Sequence, residues 1–244
     1  MLQQQNASLK KLIENDFQFE KIVGKSKEIQ EVVNEVSDHL QELNVNFDSV
    51  SIFIYYENTN DLEIWSTATQ MAEYNNRFFI PYFKHPIPIL EYILKVNDKY
   101  SGFFTHHYSK KEKDDWWSYV FDHTEFSRVP EERKRFILNS SCFTHSIAGV
   151  KHTALQLNSY SRDSFSEREN EILKQFARVF EQAYVRFLDL QKAEIQAHEA
   201  LKQSSLDRVR GQIASMRSKE DLNRITPVIW EELKSLPVQT VILK

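Results

Sequence analysis

The sequence predicts an α+β fold: an antiparallel sheet flanked by helices, followed by a long C-terminal helix of coiled-coil character. Three observations predict it. Short runs rich in β-branched and aromatic residues recur between turn signals, at 50–57, 62–69, 77–83, 100–105, 142–150 and 152–161. Amphipathic segments with apolar residues three and four apart stand between and around these runs. From Ser166 a helical pattern continues without proline or glycine to Arg210.

Residues 7–22 predict a modest first helix that ends at Gly24. Ser26 opens a second, in which Ile29, Val32, Val33, Val36, Leu40 and Leu43 share one buried face. VSIFIYYE (50–57), the turn NTND (58–61) and LEIWSTAT (62–69) read as a β-hairpin. Both faces of its first strand are apolar, so both are expected to be covered. RFFIPYF (77–83) is a strand that Pro81 confines to an edge or an end. A helix follows the prolines at 85–99, then a strand at 100–105. SKKEKDDWWSYVFDHTEF (109–126) reads as a helix with aromatics on one side. PEERKRFILNSS (130–141) reads as a short helix with Pro130 at its first position, where a missing N–H does no harm. Two strands, 142–150 and 152–161, turn at Gly149.

The long helix starts at a capping box, Ser166 with Glu169. Phe180, Ala183, Phe187, Leu190, Glu194, Ala197 and Leu201 alternate at three and four, the seam of a coiled coil. The seam then shifts phase near Ser204 to Leu206, Val209, Ile213 and Met216. A helix over 167–217 would be about 75 Å long at 1.5 Å per residue, more than one domain covers. Ser26-Lys27-Glu28 recurs as Ser218-Lys219-Glu220, and both are followed by similarly spaced apolar residues and then an apolar strand. The expected domains are an N-terminal helix (1–25), a main globular domain (26–190), a connector helix (191–217) and the start of a second, truncated domain of the same kind (218–244).

Composition narrows the function. A net charge of −4 leaves no nucleic-acid footprint. No run of about 18 apolar residues exists to span a membrane. Four glycines are poor material for phosphate-cradling loops, and no Gly-rich fingerprint is present. Cys142 is the single cysteine, which excludes an internal disulfide and fits a reducing, cytoplasmic setting. No nucleophile signature or paired-acid motif points to an enzyme.

The order helix, hairpin, strand, helices, two-stranded return and exit helix resembles the GAF family of sensory domains over about residues 26–190. RDSFSERENEILKQFARVFEQAYVRF (162–187) carries the closest likeness, and PIPILEYILKVNDKYSGFF (86–104) resembles the family's mid-domain segment. The connector LQKAEIQAHEAL…DRVRGQIASMRSKEDL looks like that of tandem-GAF bacterial signalling proteins, often found ahead of histidine-kinase modules. The resemblance implies a regulatory domain in a two-component type of system. It would bind a small molecule or partner and signal along a dimeric helix to a downstream output module. The cyclic-nucleotide-binding subset has an Asn-Lys…Phe…Asp-Glu motif; only Asn97-Asp98-Lys99 answers to it here, so no such nucleotide is implied. The alternative is a ligand-free structural dimerisation module, and a weaker third is a light or redox sensor using Cys142.

Trp65, Trp116, Trp117 and Tyr119 are the candidate lining of a small-molecule cavity, with His145 as a polar anchor. The candidate dimer seam is Phe180, Ala183, Phe187, Leu190, Ala197, Leu201, Val209 and Ile213. Cys142 is followed by Phe143, whereas bilin-binding GAF domains have His there, so a buried structural thiol is expected. His106, His107, His123, His145 and His152 show no ligand spacing and no cysteine partner, so neither metal nor cofactor is expected. His198-Glu199 lacks the Thr-Pro expected of a phosphoacceptor helix and reads as a solvated pair.

Overall fold

A computed structural model of the chain describes residues 26–56, 61–68, 76–80, 102–218 and 221–235. The helices expected at 7–22 and 85–99, Asn97-Asp98-Lys99 and the strand after 236 lie outside these residues. The chain forms two compact units that divide inside the long helix, after Phe187.

In the first unit, β1 (Ser49–Tyr55), β2 (Leu62–Ala68), β3 (Asn76–Ile80), β4 (Gly102–Ser109), β5 (Cys142–Gly149) and β6 (Thr153–Ser159) build one sheet. Its order is β3-β2-β1-β6-β5-β4, and every neighbouring pair is antiparallel. β1 and β6 lie at the centre, and every residue of both is buried, as two apolar faces require. β3 takes one edge, as expected, and β4 the other.

Strand alternation sorts the side chains into two layers. Val50, Ile52 and Ile54 of β1 face one way, where α1 (Ser26–Glu42) packs on β1 and β2. Val33 and Leu40 of this helix are fully buried. The helix stops where Asn44 takes a left-handed conformation, φ 57°. The first half of α4 (Glu167–Ala214) covers the same face: the Lys174 ammonium stands 4.3 Å from the Phe103 ring centre, and Glu181 accepts a 2.7 Å hydrogen bond from Thr153. The α4 capping box forms as expected, with the Glu169 N–H on Ser166 and the Ser166 N–H on Glu169.

The other layer holds Phe53 and Tyr55 of β1 under α2 (Lys110–His123), a 3₁₀ turn (Glu125–Arg128) and α3 (Glu131–Asn139). The helix expected over 109–126 thus divides at Thr124. That residue is extended, and its hydroxyl bonds back to the Val120 carbonyl and forward to the Phe126 N–H. Pro130 is the N-cap of α3 rather than its first helical residue. Lys113, 0% exposed, carries its ammonium to the Leu138 carbonyl at 3.0 Å and so caps the end of α3 from α2.

The second unit contains the rest of α4 and α5 (Asp221–Ser235). Asp221 accepts from the N–H groups of Arg217 and Ser218 at the turn into α5. Among the described residues no helix is long and apolar enough to cross a membrane.

Candidate functional site

The α2–α3 layer does not close completely on the sheet. A cavity of about 90 Å³ lies between them, room for several waters or one small molecule. Its sheet side is unusually polar for a buried surface: Ser49, Ser51, Ser66, His145, Gln156 and Asn158 all line it. The register explains this convergence, because Ser51 stands opposite both Ser66 and Gln156. The Ser51 and Ser66 hydroxyls pair at 2.7 Å. Gln156 donates to Asn158, whose amide donates to Ser49 at 3.1 Å. The helix side and ends are aromatic and aliphatic, from Trp116, Trp117 and Val120 of α2, Phe126, Val129 and Ile137.

Of the sequence-derived candidates, Trp116, Trp117 and His145 line the cavity. Burial, aided by nearby His106, lowers the His145 pKa to about 3, so its imidazole is neutral. Among the described residues it shares one long hydrogen bond, 3.5 Å, with the Tyr108 hydroxyl. Trp65 and Tyr119 are not among the lining residues. Trp65 is buried on β2 with the parity of Glu63, facing the α1–α4 layer, and the Arg77 guanidinium stands 5.4 Å from its ring centre. Tyr119 stacks on His123 at 4.3 Å and packs on the rim of the aromatic core.

Sequence reasoning missed the polar floor of serines and amides and, among the helix residues, Arg133. It is 9% exposed, and its guanidinium lies over the rings of Phe136 at 4.8 Å and Tyr160 at 5.4 Å. In PEERKRF it reads as one more solvated charge. A usable signal was the spacing Val129, Arg133, Ile137, which puts the arginine on the apolar stripe of α3.

The seam residues divide. Phe180 and Ala183 are 2% and 8% exposed within a single chain, so they belong to the core of the first unit rather than to a seam. An amphipathic helix docked on its own sheet shows the same apolar periodicity as a coiled coil. Phe187 and Val209 are half-buried and Ala197 is exposed, while Leu190, Leu201 and Ile213 are 49%, 62% and 50% exposed.

Cys142 is buried, as expected, with its thiol 3.7 Å from the Arg162 carbonyl. It does have neighbours of metal-ligand type: ligand atoms of His107, Cys142 and Asp163 lie within 4.8 Å of one another. They come from β4, β5 and the segment after β6, so no sequence spacing announces them. His107 is engaged with the Thr144 hydroxyl at 2.9 Å, and the Asp163 side chain is 91% exposed.

No protein-family model matches this sequence, and no curated protein matches it. Solved structures similar to it include two that contain GAF domains. The GAF domain from Acinetobacter phosphoenolpyruvate-protein phosphotransferase shares 14% identity at a TM-score of 0.37, covering 73% of this chain and 92% of that one. The GAF domain/HD domain protein from Geobacter sulfurreducens shares 14% identity at a TM-score of 0.36, covering 64% of this chain and 94% of that one.

Proposed function

We propose that this chain is a sensory or regulatory domain of the GAF type that binds a small molecule between the sheet and α2–α3. Occupancy would change how α4 is held, and α4 would pass the change, along a dimeric helix, to a downstream output module. The observation that carries the reading is the cavity itself: apolar walls with a few converging polar groups, the usual make-up of a small-molecule site. The GAF likeness read from the sequence supports it.

A contiguous set of contacts links the cavity to α4. Tyr160 lines the cavity, and its N–H donates to Asp48 at 2.8 Å. Two residues on, Arg162 makes a two-pronged ion pair with Glu169 in the first turn of α4, at 2.8 and 2.9 Å. At the other end of β6, Glu181 of α4 accepts from the His152 backbone and ring and from Thr153. Movement of β6 therefore reaches α4 at two places. Beyond Phe187, the exposed Leu190, Leu201 and Ile213 supply an apolar stripe for a second copy of the helix. Glu194 interrupts that stripe and weakens its register, which eases switching.

Native mass spectrometry of protein purified without denaturation tests both parts. The reading expects a dimer and an adduct of small-molecule mass that is released on unfolding. A dimer that never carries an adduct, whatever the growth medium, would favour the ligand-free dimerisation module. Glu194→Leu should tighten the dimer; an unchanged association constant would count against the seam.

A further inference from the structure

The cavity contains one full charge among its described lining residues, and it is positive. His145 is neutral, no aspartate or glutamate is among them, and Arg133 stands in the wall. A buried guanidinium ordinarily meets a carboxylate, because its five N–H donors are costly to leave unmade. Arg133 has no hydrogen bond or ion pair among the described residues; its partners are the faces of Phe136 and Tyr160. Ring faces compensate part of the charge but accept none of the in-plane N–H bonds. The nearest cations on α3 behave differently. Lys134 pairs with Glu131 at 2.7 Å, and the Arg135 Nε–H reaches the Glu131 carbonyl at 3.3 Å.

Resting on the small-molecule reading above, the geometry points to the class of ligand: a small organic monoanion, a carboxylate with an aromatic or otherwise planar apolar body. Arg133 takes the carboxylate in its planar fork, the geometry for which guanidinium is suited. The apolar body lies among Trp116, Trp117, Phe126 and Phe143. The tryptophan and glutamine walls bring two further polar groups: Trp117 Nε1–H and Gln156 Oε1 have no hydrogen-bond partner among the described residues. The volume limits the class to single-ring or short-chain acids.

The test compares acids with their neutral isosteres on the whole chain. Calorimetric titration with benzoate, phenylacetate and indole-3-carboxylate, each beside its primary amide, should show at least one acid binding more than about tenfold tighter than its amide, roughly what one lost charged hydrogen-bond pair costs. Arg133→Met should abolish that preference. The unliganded Arg133→Met protein should also melt at the wild-type temperature or a few degrees above it, since a largely buried charge with no acid partner among the described residues has been removed. A purely structural arginine would melt lower on substitution, and that result, without any acid preference in the wild type, overturns the inference. Should the variant fail to fold, the wild-type acid–amide comparison decides alone. Amides that bind as well as acids overturn the anion assignment and leave the cavity reading standing. No binding by any acid or amide overturns both.

Discussion

The two faces of the sheet are built differently. On the α1–α4 face, aliphatic residues from the central strands, such as Ile52, Ile54, Leu155 and Leu157, meet aliphatic and aromatic residues of two helices, and each of these four is at most 2% exposed. On the α2–α3 face the same strands present serines and amides, with His145 of β5 beside them, beneath tryptophans and phenylalanines, with space left over. Residues on both faces are buried, but the described cavity lies on the α2–α3 face. A buried polar floor is an expensive way to make a core. It is a cheap way to make a site, because a ligand can satisfy what the protein leaves open. The lesson is that burial alone does not distinguish a core from a site; chemistry and unfilled volume do.

Substitutions on the two faces should therefore have opposite signs. The largest effect belongs to the filled face: Leu157→Ala should cost about 2 to 5 kcal/mol in urea unfolding, since a rigid core cannot collapse onto the void. A loss below 1 kcal/mol would mean that this face is loosely packed too.

Next comes the junction where the filled face receives α4. Burial opposes ionisation of Glu169, but hydrogen bonds from Arg162, Ser166 and Asn46 outweigh it and hold its pKa at about 2. The folded value is below that of the unfolded chain, about 4.3. Its stabilisation is therefore complete above pH ~4.3 and is lost as pH falls toward ~2. Glu169→Gln should cost on the order of 2 kcal/mol at neutral pH. It should also flatten the acid limb of the stability profile, and an acid limb identical to wild type would show that Glu169 contributes nothing there.

On the open face the sign reverses. Arg133→Met should stabilise the unliganded protein by about 1 kcal/mol, by removing a largely buried cation that has no acid partner among the described residues. The smallest effect is expected from Val120→Ile, which adds a methylene to a residue of the cavity wall. It should gain a few tenths to about 1 kcal/mol, as cavity filling commonly does, while weakening any ligand. Destabilisation by both substitutions in thermal unfolding would erase the contrast between the faces.

Much of the fold was legible in the residues. Alternating apolar runs located the strands, a strand apolar on both sides announced the two-layered cover of β1, and Ser166 with Glu169 marked the start of α4. The break at Thr124 was not legible, because one threonine that bonds both backward and forward ends a helix that the aromatic spacing would continue. The site was half legible. Trp116, Trp117 and His145 were visible as residue types suited to a cavity, but Trp65 was indistinguishable from them without the register that turns it to the other face. Arg133 hid in a charged stretch. Phe180 and Ala183 show the limit of periodicity, which reports an apolar stripe but not whether the stripe meets its own chain or another.

The difference between the faces is tested most directly by methyl NMR of the whole chain during titration with the same acids and amides. The account predicts that at least one of them shifts Ile64, Val120, Val129 and Ile137, which line the cavity, well before Ile52 and Leu157 on the filled face. Silence from all four cavity methyls with every compound, or a first response at Ile52 and Leu157, would contradict it.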